Sequence, residues 1–250
     1  MDKKSNNRTF LLPQFSLFDI QIGVGEEEFK KGYKLFNDGK VGKIKSDIRG
    51  FSAAVAGAHP YEVFVEANDF DQGSCSCYLG QKDILCKHMI ALAIAAIFKY
   101  NPENFKLITS PLDRAVCSGQ IRDITKEELV AIKKELKHGL SYIKYYDGPS
   151  SKWFTYQDTL LKGGRLMRYA LSKLPICEES AKICIDFLVK LDKKVCNGVD
   201  DSDGTVGELM TDIVEVLNLF VSNKPDLRNF ISEHLPKETS FGWERMFGVI

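Results

Sequence analysis

The spacing Cys75-x-Cys77-x8-Cys86-x-His88 constrains this chain more than any other feature. Three thiols and one imidazole fall within fourteen positions. Together they make a full tetrahedral shell for a zinc ion, Zn²⁺, with no open position for a catalytic water. A closed shell implies a structural metal. Cys75 and Cys77 are two residues apart, so on an extended segment they point to the same side. Cys86 and His88 stand at the mouth of the next helical pattern, where free N–H groups and the positive helix end favour thiolate. Eight residues join the halves, with Gly80 available for a turn, so both can close on one ion.

Buried core thiols or a disulfide are the alternatives. A Cys-x-Cys bridge is strained, and the seven cysteines are an odd number in a chain whose polar start, Met1 to Arg8, is no secretory signal. Zinc bound to such a shell is worth on the order of 10–16 kcal/mol in small peptides. Whole-domain stability is about 5–15 kcal/mol. The metal therefore decides whether residues 74–88 are ordered. Three thiolates on Zn²⁺ leave a net negative site, which Lys82 and Lys87 are placed in sequence to offset.

The pattern around the ligands is α+β. Residues 1–25 read as a tail with an extended anchor (Phe10, Leu11, Leu12, Phe15, Leu17, Phe18). Glu26-Glu27-Glu28 opens a short helix through Phe36, stopped by Asn37-Asp38-Gly39. Three period-2 runs follow, Val41–Ile48, Phe51–Ala58 and Tyr61–Ala67, with turns at Arg49-Gly50 and His59-Pro60. They predict an antiparallel meander. In the first run the alternation sets Gly42, Ile44, Ser46 and Ile48 against Val41, Lys43, Lys45 and Asp47. Ser74–Tyr78 carries the first two ligands. From Cys86 the chain is apolar on nearly every side through Phe98, the mark of a helix buried all round, and Asn101-Pro102 ends it.

Strands, then Cys-x-Cys-xn-Cys-x-His, then an apolar helix: this arrangement resembles the SWIM-type zinc finger over roughly residues 30–100. The likeness includes Lys31-Gly32-Tyr33 and Lys87-His88-Met89. The resemblance implies a ββα-like unit, Cys75, Cys77, Cys86 and His88 as ligands, and a role in binding DNA or protein. It brings no catalytic residue with it.

Residues 103–124 read as a linker, and 125–250 as an all-helical domain after the zinc-binding domain of 26–102. Thr125-Lys126-Glu127-Glu128 is a capping box before a stripe at Leu129, Ile132, Leu136, Leu140 and Ile143. Further helices are expected at Tyr156–Leu174, Glu178–Val195, Thr205–Ser222 (with Thr205-Val206-Gly207-Glu208 as a second capping box) and Leu227–His234. They read as an up-down bundle or short solenoid. Gly163-Gly164 inside a helix calls for a kink, a break or a close helix contact. The aromatic group Trp153, Phe154 and Tyr156 reads as core anchoring, with a partner-binding face as its alternative. Cys117, Cys177, Cys184 and Cys196 lack companions that would complete a metal shell.

The 34 basic and 34 acidic side chains cancel, so any electrostatic footprint is local. Residues 30–49 hold such an excess, seven cations against Asp38 and Asp47. Lys31, Lys34, Lys43, Lys45, Arg49, Lys82 and Lys87 are therefore the candidate nucleic-acid contacts, although Lys also protects sheet edges. The rival reading is a protein–protein adaptor acting through the helical domain. Gly23-Val24-Gly25 lacks the third glycine of a dinucleotide site, and Gly39-Lys40-Val41 lacks the rest of a phosphate-binding loop. No nucleophile–base pair or small-molecule site is evident, so an enzyme is not expected. The longest apolar run is about half of what spans a bilayer. The sequence thus reads as a soluble, cytoplasmic, zinc-dependent binding module.

Overall fold

The computed structural model describes residues 11–248. Two compact units divide the chain, Met1–Thr109 and Ser110–Ile250. Phe10 and the polar tail before it lie outside the described residues.

In the first unit, residues 17–24 are not extended. They form helix α1 (Leu17–Val24), whose cap is a reciprocal pair: the Asp19 N–H donates to Ser16 Oγ and the Ser16 N–H to Asp19 Oδ2. That Ser-x-x-Asp signature was open to reading in the sequence, but the apolar run behind it has no polar stripe to mark a helical period. Helix α2 (Glu26–Asn37) begins with three acidic residues, as expected. Buried Gln21 then clamps a later segment, exchanging two side-chain hydrogen bonds with the backbone of Ile108.

The meander is a four-stranded antiparallel sheet in the order β1 (Lys45–Ser46), β2 (Gly50–Ala56), β3 (Pro60–Glu66) and β4 (Gly73–Cys75). Val41–Ile48 is not one strand. Val41 bridges Val55, whereas Lys45 pairs with Ser52, so the first strand has one residue more than its partner between these points. This is a bulge. It turns both Val41 and Ile44 toward the core, where strict alternation would have opposed them. The Lys99 ammonium donates to the Ile44 carbonyl (3.2 Å). Ile48, expected on the same face as Ile44, is exposed because it lies in the turn that follows β1. The two-residue turn is Ile48-Arg49, one position earlier than the sequence indicated, held by Asp47 Oδ1 accepting from the Arg49 and Gly50 N–H groups.

Phe51 and Val55 of β2, and Val63 and Val65 of β3, face helix α3 (Lys87–Tyr100). In α3 every residue from His88 to Ile97 is buried, as a helix without a polar stripe requires. Phe98 escapes that pattern and is exposed. Helix α2 packs on α3, and α3 on β2, β3 and β4, so the zinc-ligand segment sits where sheet and central helix meet.

The second unit is all-helical: α4 (Lys126–Tyr142), α5 (Trp153–Leu171), α6 (Glu178–Cys196), α7 (Thr205–Asn223) and α8 (Leu227–His234). Residues 110–124 belong to this unit, with Ser118 and Ile176 bonding across to Leu174 and Gln120. The Thr125 capping box forms. The expected box at Thr205 does not. Gly204, at φ +80°, is the N-cap of α7, and Asp201 reaches in to accept from the Val206 and Gly207 N–H groups (2.6 and 2.8 Å). The Thr205 N–H, which Glu208 would take in a capping box, donates instead to Asp203 Oδ1 (3.1 Å). Gly163 resolves as a close helix contact: a Cβ there would lie 2.8 Å from the Gly139 carbonyl oxygen, and α5 runs unbroken through the position. Tyr156 is buried and stacks on Tyr146, and the Trp153 indole N–H donates to Asp200, while Phe154 is 75% exposed.

Candidate metal centre

Cys75 ends β4, paired with Val63. Two residues on, Cys77 begins a tight loop in which the Gly80 N–H donates to Cys77 Sγ (3.4 Å) and the Gln81 N–H to the Cys77 carbonyl (2.9 Å). Gly80 is required here: a Cβ would stand 2.5 Å from Cys75 Cβ, against the Cys75 carbonyl. After a 3₁₀ turn (Gly80–Lys82), Asp83 takes a left-handed conformation at φ +56° and carries the chain back. Cys86 is the extended N-cap of α3, and His88 lies in its first turn.

The four ligand atoms lie within 4.8 Å of one another, and all four residues are buried. His88 Nδ1 is 3.8 Å from both Cys75 Sγ and Cys86 Sγ. Donors about 2.3 Å from a central zinc stand roughly 3.8 Å apart along a tetrahedral edge. The donor set and its spacing therefore fit zinc, with Nδ1 as the histidine donor. Cys75, Cys77, Cys86 and His88 would hold the ion, which supplies a cross-link between the end of β4 and the start of α3.

The electrostatics fit the same assignment. Burial pushes the Cys75 and Cys86 thiols above their ordinary range. Burial also acts on Cys77, but the Gly80 N–H and the neighbouring thiols outweigh it and lower that thiol. Burial, then the nearby Lys87 charge, holds His88 below the usual imidazole value, so it is neutral and ready to ligate at pH 7. Cys75 and Cys86, the two thiols reluctant to ionise, need a cation to become thiolates beside Cys77.

Beyond the four ligands, the His88 ring packs on Tyr61 (4.4 Å between centroids), which packs on His59 (4.3 Å). Gly57 leaves room for this stack, since a Cβ there would lie 2.7 Å from the Tyr61 ring and 3.1 Å from His88 Nε2. Sequence reasoning took His59 as a turn residue and missed the stack. The period-2 pattern, which sets Tyr61 and Val63 on the covered face, was its one available signal.

Residues 61–97 match the family described as the SWIM zinc finger. This segment is similar to a SWIM zinc finger. No curated protein and no solved structure matches the chain. The match begins at Tyr61 on β3 and ends within α3, so it spans all four ligands.

The seven candidate cations do not form one patch around the finger. Lys31 and Lys34 lie on α2 and pair with Glu28 and Asp38, at 2.5 and 2.8 Å. Lys82 folds over the Tyr78 ring and donates to its hydroxyl (2.6 Å). Lys87 is exposed at the start of α3. Lys43 and Lys45 come together on the uncovered face of the sheet, where with Ser52, Ala54, Glu62, Phe64 and Ser74 they line a groove of about 590 Å³. Arg49 lies over the Phe64 ring, 5.3 Å from its centroid. Sequence reasoning found these cations but missed Phe64. In the zinc loop, Tyr78, Leu79 and Ile84 are exposed apolar side chains, also unanticipated. No helix among the described residues is long and apolar enough to cross a membrane.

Proposed function

We propose that this chain is a non-catalytic binding module, stapled by structural zinc, whose partner is nucleic acid and in the first instance DNA. The observation that carries the reading is the pairing of Lys43 and Lys45 along one open groove, on a sheet whose other face is packed on the helix that starts at the zinc ligands. The metal fixes the end of β4 against α3, and the sheet presents the cations. A shell filled by four side chains leaves no site for an activated water, which supports a binding role over hydrolysis. Seven free cysteines suit a reducing compartment, and we place the protein in the cytoplasm.

Phosphate contacts release counterions, so affinity for DNA falls steeply with salt, by about 0.9 in log–log slope per phosphate neutralised. The test is DNA binding by the full chain from 50 to 200 mM salt, with Lys43→Gln and Lys45→Gln each making the slope shallower by about one. A flat salt dependence, or no binding at 50 mM, refutes the reading.

One observation favours a second reading, a protein adaptor acting through the helical unit. Phe154, beside the anchored Trp153, leaves its ring 75% exposed at the start of α5. Its signature is a partner that is retained when Lys43 and Lys45 are neutralised and lost in Phe154→Ser.

A further inference from the structure

The uncovered sheet face has a layout more specific than a basic patch. One cross-strand row runs Lys45, Ser52, Phe64, Ser74 from β1 to β4, each residue directly opposite the next. Neighbouring strands are about 4.8 Å apart, so Phe64 stands roughly 10 Å from the Lys45 edge. Small side chains, Ser52, Ala54 and Ser74, line the space around and between them. Phe64 is half-buried because its ring reaches over Gly50, where a Cβ would lie 3.0 Å from the ring tip. Arg49 lies over the ring at 5.3 Å, a direct cation–π distance too short to admit a base between them, so a base reaches the ring by displacing the guanidinium to its side.

The charges on this face are one-sided. Lys43 and Lys45 stand along the β1 edge of the groove. Glu62 and Glu66 share the face on β3, and Glu62 lines the groove. A duplex brings two phosphate backbones and hides its base faces. The second backbone would meet the carboxylates, and Phe64 would find nothing to stack on. A single strand can lay its one backbone along Lys43 and Lys45 and turn its bases inward over the small floor. There a base meets an aromatic face, and Glu62 can accept from an exocyclic amine.

We propose that the uncovered face of β1–β4 is a platform for single-stranded nucleic acid, with a base stacked on Phe64 beside Arg49 and the phosphates held by Lys43 and Lys45. The proposal rests on the nucleic-acid reading above and narrows it to one form of ligand and one aromatic contact.

The experiment compares a labelled twelve-nucleotide single strand with the corresponding duplex by fluorescence anisotropy, using the zinc-loaded full chain at 50 mM salt. The single strand is expected to bind at least tenfold more tightly. Phe64→Leu keeps an apolar cover over Gly50 but removes the ring. It is expected to weaken single-strand binding by about tenfold with the salt slope unchanged. A 2-aminopurine in the strand should be quenched on binding, and the quench lost in Phe64→Leu. Glu62→Gln, an exposed change that needs no repacking, is expected to improve duplex binding relative to single strand and so keeps the test independent of how Phe64→Leu folds. Equal binding of the two forms, or an unchanged quench in Phe64→Leu of intact zinc content, overturns this proposal and leaves the nucleic-acid reading in place. Absence of binding to either form overturns both.

Discussion

Gly80→Ala should damage the metal site without touching a ligand. A Cβ at position 80 would stand 2.5 Å from Cys75 Cβ, where ordinary contact begins at 3.4 Å. The loop or the strand end must therefore yield by about 0.9 Å. Cys75 is tied to Val63 in the sheet, and Gly80 is tied to Cys77 Sγ, so either movement drags a zinc ligand. Metal sites tolerate about 0.2 Å of error in ligand distance. A displacement several times larger costs at least what losing an outer-shell partner costs, about 10–100-fold in metal affinity, or roughly 1.4–2.8 kcal/mol. The assay is competitive zinc titration against a chromophoric chelator. Gly39→Ala is the control. That position is in open space at φ +66°, so the change strains the backbone without meeting a neighbour and should leave zinc affinity unaltered. If Gly80→Ala binds zinc within twofold of the native chain, the reasoning about this loop is wrong.

Zinc uptake by the metal-free protein at pH 7.5 should release protons from both Cys75 and Cys86, whose thiols burial holds above their usual range. Calorimetry in buffers of different ionisation enthalpy measures this, and uptake with no proton release contradicts it. Gly139→Ala puts a Cβ 2.6 Å from Met167 Cγ where α4 and α5 touch. It should lower the stability of the helical unit by about 1–3 kcal/mol in a denaturant titration, with zinc content unchanged. The Arg122 side chain, then the Thr125 N–H, holds the Glu128 carboxyl down at about 2. A depressed carboxylate contributes stability that is present in full above its unfolded value of 4.5 and is lost as pH falls through the folded one. An NMR titration should therefore place Glu128 near the lower value, and Arg122→Gln should move it up.

The metal centre was legible in the sequence because it is local: four donors in one short segment, with period-2 strands before and a stripe-free apolar helix after. The buried run from His88 to Ile97 followed from the same absence of polar residues. Three features were not legible, each for a separate reason. Helix α1 was hidden because Leu17 to Val24 has no polar face, so its Ser16–Asp19 cap was the sole helical signal. The bulge before β1 depends on a one-residue mismatch with β2, which cannot be seen within residues 41–48. The cation patch dispersed because charge spacing along the chain does not record which lysines find carboxylates. Lys31 and Lys34 do so on their own helix, while Lys43 and Lys45 are carried to the sheet face.

The central claim is a zinc ion held by Cys75, Cys77, Cys86 and His88. X-ray absorption at the zinc edge of the purified, stoichiometrically loaded chain tests it most directly. The expected spectrum is three sulfurs at about 2.3 Å and one nitrogen at about 2.0–2.1 Å. A shell with an oxygen donor or fewer than three sulfurs contradicts the account, as does a chain that retains no zinc at all.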